Sequence, residues 1–160
     1  MPILHSQFAG QGKTPDGKNV PIPPPACLMQ RGPCVQVTIT LADQIASELI
    51  KRQEPVPAAV SGLALIDTGA ISTCIDEDAA KQMQLPIVNV VNLASASHAC
   101  TKANQYPIKL QIAGIPMFFN STATGAPLKI QGLIALIGRD LLQHCTLIYN
   151  GSIGQISLCI

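Results

Sequence analysis

The sequence predicts a mostly β fold, a closed barrel or sandwich with one short C-terminal helix and an inserted short helix. Three observations predict it. Short apolar runs recur from Val35 to the last residues, several alternating apolar with polar, as half-buried strands do. Turn residues punctuate them, Asn150-Gly151 most clearly, a dipeptide that favours tight hairpins. Helical spacing is brief where it occurs, and many short strands with few helices suit a barrel or sandwich.

The elements follow in order. Residues 1–33 hold seven of the thirteen prolines, Pro23-Pro24-Pro25 among them, and four of the twelve glycines. Such composition disfavours a helix or a central strand, so an extended arm or linker is expected there, with the folded domain at 34–160. Val35, Val37, Ile39 and Leu41 alternate with Gln36, Thr38 and Thr40 in a clean strand. Ile45, Leu49 and Ile50 recur at helical spacing over Asp43–Lys51, with Asp43 as the expected N-cap and Pro55 and Pro57 as the stop. Ala59–Ile66 reads as a buried strand. Asp76-Glu77-Asp78 opens a helix to about Met83, where carboxylates suit the positive end of the helix dipole. Strands near Ile87–Leu93 and Tyr106–Ile112 bracket the polar, small-residue stretch Ala94–Asn104. Further strands are expected at Ile115–Phe119, Leu133–Ile137, Thr146–Tyr149 and Ile153–Ile160, with a short helix over Arg139–His144.

Composition excludes several classes of function. The chain has 160 residues, the size of one domain. Its formal net charge is +1, with 48% hydrophobic and 12% charged residues. That is too apolar for disorder and too neutral to hold a polyanion by counterion release. Five aromatic residues leave little for base stacking, so no nucleic-acid partner is expected. No run approaches the roughly 18 apolar residues of a membrane span, and the N-terminus lacks the pattern of a secretory signal. A cytoplasmic address is expected, without membrane contact. Low charge with high apolar content also points to a surface covered by a second copy. The six cysteines form no Cys-x-x-Cys pair, and a domain of this size needs no disulfides. His98 with Cys100 and His144 with Cys145 lack zinc-ligand spacing, so neither metal nor cofactor is expected, and no local signature marks a cysteine nucleophile.

The segment Leu65-Ile66-Asp67-Thr68-Gly69-Ala70 carries the chemistry. An apolar strand delivers a carboxylate, whose desolvation must be offset, then a small hydroxyl residue, then a glycine that permits close backbone approach. A second element follows at Leu136-Ile137-Gly138-Arg139-Asp140-Leu141-Leu142. In order and separation, the two segments resemble those of the retropepsin-like aspartic proteases. The resemblance spans about residues 34–160 and implies the closed barrel of the acid-protease type. It implies Asp67 as the catalytic aspartate, with Thr68, Gly69 and Ala70 supporting the active site. It places a substrate flap near Ala94, Ser95, Ala96, Ser97 and His98, and a structural brace at Gly138, Arg139 and Asp140. It departs at Ile71, where retroviral enzymes carry an acidic residue that pairs with the arginine of the Gly-Arg element. The flap region also lacks glycine.

Acid–base hydrolysis of an amide by carboxyls needs two of them, one ionised and one protonated. A chain with one Asp-Thr-Gly and no internal repeat supplies the second only through a two-fold homodimer. The expected function is therefore an aspartic endopeptidase, active as a homodimer on a polypeptide bound in extended conformation. The alternative is a dimeric peptide-binding module of weak or absent turnover on the same fold.

Overall fold

The computed structural model describes residues 2–95 and 98–160, and it folds the segment expected as an extended arm. Strand β1 (Ile3–Gln7) pairs with the last strand of the chain. A hairpin of β2 (Gly10–Lys13) and β3 (Asn19–Ile22) follows, then helix α1 (Pro24–Arg31). The expectation of an extended arm at 1–33 is corrected here. Pro24 and Pro25 occupy the first turn of α1, where the missing N–H groups would have had no intrahelical partner and the fixed φ is already helical. Phe8, Cys27 and Leu28 are buried within the main core, so this layer is held by apolar contact as well as by pairing.

Strand β4 (Cys34–Leu41) alternates as its sequence predicts, with Val35, Val37, Ile39 and Leu41 buried. Helix α2 (Asp43–Lys51) is present, but its cap is Ala42. Asp43 is not the N-cap because its carboxylate turns instead to Lys109, at 2.8 Å. That hydrogen bond holds the Asp43 carboxyl below the usual carboxylate range. Then come β5 (Val60–Ile66), β6 (Cys74–Asp76), α3 (Glu77–Gln82), β7 (Asn89–Ser95), β8 (His98–Ile112) and β9 (Phe118–Ala126). A 3₁₀ turn (Lys129–Gln131), β10 (Ala135–Ile137), α4 (Arg139–Leu142), β11 (Thr146–Asn150) and β12 (Gln155–Cys159) complete the chain.

The large sheet runs β4-β5-β10-β6-β9-β8-β7, and β4 also pairs with β8. That pairing closes six strands into a barrel, which leaves those strands without an open edge. Among the described residues strand β7 pairs with β8 alone, so the β7–β8 hairpin stands off the barrel. The mostly β, closed-barrel fold predicted from sequence is the fold observed. Two pairings are parallel, β5 with β10 and β6 with β9. Strands β1, β12 and β11 form a separate three-stranded sheet.

Three local expectations shift. Strand β8 begins at His98 rather than Tyr106, because β7 supplies a ladder partner out to its beginning. Strand β9 begins after Pro116, which cannot donate to a ladder, and runs through the polar Asn120–Thr124 segment between β8 and β6. The Asn150-Gly151 hairpin is not the tight two-residue turn: residue 150 pairs with 155, which leaves four residues in the loop. Gly154 takes a φ of +65°, and a side chain there would strike the backbone of Pro24 and Pro25. Packing of α1 against this loop therefore decides its length. No helix among the described residues is long and apolar enough to cross a membrane.

Candidate active site

Asp67 leaves the end of β5 beside the end of β10. Its N–H donates to the Ile137 carbonyl at 3.0 Å, so the parallel pairing sets where its side chain begins. The side chain folds back over its own turn. Oδ1 accepts from Gly69 N–H at 2.8 Å and from Ala70 N–H at 3.3 Å, as short acidic residues do at turns. Among the described residues, Oδ2 receives no hydrogen bond. Asp67 is half-buried, and Thr68 and Gly69 beside it are exposed.

A second loop, after β10, braces the first. Arg139 N–H donates to the Ala70 carbonyl at 3.0 Å, and Asp140 N–H to the Ile71 carbonyl at 3.1 Å. The loops cross so closely at Gly138 that a Cβ there would lie 2.6 Å from Ser72 O and 2.7 Å from Thr73 N. Thr73, fully buried, locks the crossing. Its hydroxyl accepts from Gly138 N–H at 3.2 Å and donates to Asp140 Oδ1 at 2.9 Å. Asp140 Oδ1 also accepts from Thr73 N–H and Leu141 N–H, and Oδ2 accepts from the Ser121 hydroxyl at 3.3 Å. The brace expected at Gly138, Arg139 and Asp140 is thus brought against the Asp67 loop through backbone and carboxylate. Thr73 and Ser121 were not singled out from sequence. Thr73 carried a faint signal, a hydroxyl residue directly before a short apolar strand; Ser121 carried none.

A third aspartate is equally occupied. Buried Asp76 accepts from Ala79 N–H at 3.1 Å as the N-cap of α3, and from Leu128 and Lys129 N–H at 2.9 Å each. A capping carboxylate of this kind is structural.

The outward face of the barrel near Asp67 is apolar. Cys34, Leu65, Leu136 and Cys74 stand in one cross-strand row over β4, β5, β10 and β6, packed with Ala126, Leu128 and Leu133. Burial pushes the Cys74 thiol up to about 11, aided by the charges of Asp140 and Asp67. A thiol so placed stays protonated at neutral pH and is a poor nucleophile. Cys27, Cys34, Cys74, Cys145 and Cys159 are free.

The remaining predicted residues lie as follows. Ala94 and Ser95 end β7 and His98 opens β8, in the hairpin that stands off the barrel; Ala96 and Ser97 lie outside the described residues. The Arg139 side chain is exposed and makes no ion pair among the described residues. His144 is exposed. No group of three or more His, Cys, Asp or Glu side chains gathers as a metal site among the described residues.

No family model matches the chain, and no curated protein matches it. Among solved structures it is similar to a retropepsin-like aspartic protease from Rickettsia conorii, at 13% identity and a TM-score of 0.44, over 96% of this chain and 93% of that one. It is also similar to the retroviral protease-like domain of Ddi1 from Leishmania major, at 14% identity and a TM-score of 0.39, over 72% of this chain and 80% of that one.

Proposed function

We propose that the chain is an aspartic endopeptidase that acts as a homodimer through Asp67 of each copy. One observation carries the reading. Of the three aspartates around the crossed loops, Asp76 and Asp140 have both carboxylate oxygens committed to donors, whereas Asp67 keeps Oδ2 unbonded among the described residues at a half-exposed position. A carboxylate free on one oxygen and fixed on the other is held for contact with something outside the chain.

The chemistry needs a second carboxyl, and neither Asp140 nor Asp76 has an oxygen to spare for it. A second copy brings Asp67 to the two-fold axis, where carboxyls about 3 Å apart share one proton. The ionised carboxylate takes a proton from water as the water oxygen bonds to the peptide carbonyl carbon, and the protonated carboxyl gives its proton to the carbonyl oxygen. The tetrahedral diol then collapses: one of its hydroxyls gives its proton to the ionised carboxylate as the C–N bond breaks, and the other carboxyl gives its proton to the leaving nitrogen, which restores the dyad with one proton. Thr68, Gly69 and Ala70 form the floor. Gly69 and Ala70 keep Asp67 aimed, and the β7–β8 hairpin through Ala94, Ser95 and His98 covers an extended peptide from above. No cofactor enters the reaction.

The test is cleavage of a peptide library read by mass spectrometry, wild type beside Asp67→Asn, from about pH 4 to 7, where such dyads titrate, with sedimentation to establish the dimer. Cleavage by wild type alone supports the reading. A folded dimer in which neither protein cleaves would replace it with the peptide-binding module.

A further inference from the structure

The seam between the N-terminal layer and the barrel holds an open cavity of about 370 Å³, within the range of small-ligand sites. Strands β1, β4 and β5 and helix α1 all contribute to its wall, and the Asp67 turn does not. Of the residues lining it, Phe8, Cys27 and Val35 are buried and Leu4 is half-buried, whereas Gln7, Gln36 and Arg31 are exposed. The cavity is therefore apolar within and polar at its mouth. Leu63 on the same wall is 42% exposed, apolar surface whose removal from water is favourable.

The mouth carries one charge and nothing to balance it. Arg31 ends α1, and its guanidinium makes no ion pair among the described residues. No Asp or Glu lines the cavity among the described residues. The end of α1 is held against β4, where Cys34 Sγ donates to the Arg31 carbonyl at 3.2 Å. The positive charge acts on the wall as well: burial pushes the Cys34 thiol up, and the Arg31 charge opposes that rise. Guanidinium grips a planar carboxylate with two hydrogen bonds, and a single one balances a single negative charge. An apolar interior with a lone cation at its rim matches an acyl chain that ends in a carboxylate. A peptide segment fits less well, because its backbone would bring N–H and C=O groups against Phe8, Cys27 and Val35 with nothing to receive them.

We propose that this cavity binds a medium-chain monocarboxylate, with the hydrocarbon tail against Leu4, Phe8 and Val35 and the head group on Arg31. The inference stands apart from the peptidase reading and does not rest on it. A ligand there touches both the N-terminal layer and the barrel, so its binding stabilises the seam they share.

The test titrates the full chain with octanoate, octanamide and hexanoate by calorimetry at low salt, below the concentrations at which they aggregate. Shifts of the Ala9, Cys34 and Ala113 backbone amides in NMR, all on the cavity wall, locate the ligand. Octanoate is expected to bind about three- to fivefold tighter than octanamide, as one exposed charge pair allows. It is expected to bind about tenfold tighter than hexanoate, which lacks two methylenes. Arg31→Gln should remove the preference for octanoate over octanamide and leave octanamide binding unchanged. Ala113→Leu, which adds bulk at an exposed position of the wall, should weaken both ligands alike. A preference for octanoate that survives in Arg31→Gln would overturn the proposal by placing the head group elsewhere. Absence of saturable binding by the folded wild-type chain, or amide shifts confined to another face, would overturn it too. Each of these results leaves the cleavage assay on Asp67→Asn to decide the peptidase by itself.

Discussion

The loops that follow β5 and β10 start alike and end in opposite roles. Their strands run parallel, with Ile66 level with Ile137, and each loop soon presents an aspartate. Asp140 binds donors from Thr73, Leu141 and Ser121 on both oxygens. Among the described residues, Asp67 binds only its own turn, on one oxygen. A carboxylate surrounded by donors is a strut, because removing it strands buried groups that have no other partner. A carboxylate with one oxygen held and the other open can exchange protons with what it meets. The difference lies in the supply of donors around it, not in the residue.

The comparison breaks most sharply at Asp67 itself. Asp67→Asn keeps a carbonyl oxygen for the Gly69 and Ala70 N–H groups, so cleavage should fall by at least about a hundredfold while the melting temperature barely moves. A large loss of melting temperature in calorimetry would make Asp67 a second strut. Gly138→Ala comes next. Its methyl would meet backbone atoms of Ser72 and Thr73 rather than a yielding side chain, and a loss of roughly 3 kcal/mol or more in urea unfolding is expected. A loss under about 1 kcal/mol would show that the loops can move apart.

Asp140 sharpens the contrast by a paired substitution. Asp140→Ala should cost about 2–3 kcal/mol by leaving the Thr73 N–H unsatisfied. Asp140→Asn keeps the oxygen that takes three of the four donors, and Ser121 can turn its hydroxyl to accept from the new amide. It should cost about 1 kcal/mol or less. Equal losses from the two would contradict the donor argument.

The smallest expected effect is on pH dependence, through Cys74. Its thiol is raised from the ordinary 9.0 to about 11 in the fold. The unfolded chain therefore loses this proton first as pH rises. The contribution is whole below pH 9 and is lost towards pH 11, by roughly 2 kcal/mol. Unfolding free energies of wild type and Cys74→Ala, measured across that interval, should converge as pH rises. Parallel curves would place the thiol in a wetter setting than the row beside Leu136.

Much of this was legible in the residues. Alternation from Val35 to Leu41 set the inward face of β4, and the apolar run to Ile66 delivered Asp67 at a strand end. The acidic start at Asp76 marked a true helix N-terminus, although its capture of Leu128 and Lys129 was not visible. The proline-rich beginning misled because proline is punished inside a helix but tolerated in its first turn, and only the docking of Cys27 and Leu28 in the core distinguishes the two cases. The polar stretch from His98 to Gln105 has no apolar alternation of its own, and β7 makes it a strand.

By itself, the sequence determined the strand-rich class, the faces of strands such as β4, and the Asp-Thr-Gly turn in which Asp67 caps its own loop. These rest on neighbours within a few positions, where pleat and turn chemistry act. Tertiary structure alone decided that β4 meets β8 to close the barrel, that residues 3–31 form a layer, and which aspartate stays open. Each depends on partners far apart along the chain: Asp140 with Thr73 and Ser121, Asp76 with Leu128, Ile3 with Cys159. A hydrogen-bond donor leaves no periodic trace in sequence, so the charge of a carboxylate is readable from its letter, while its partners, and with them its role, exist only once the chain has folded.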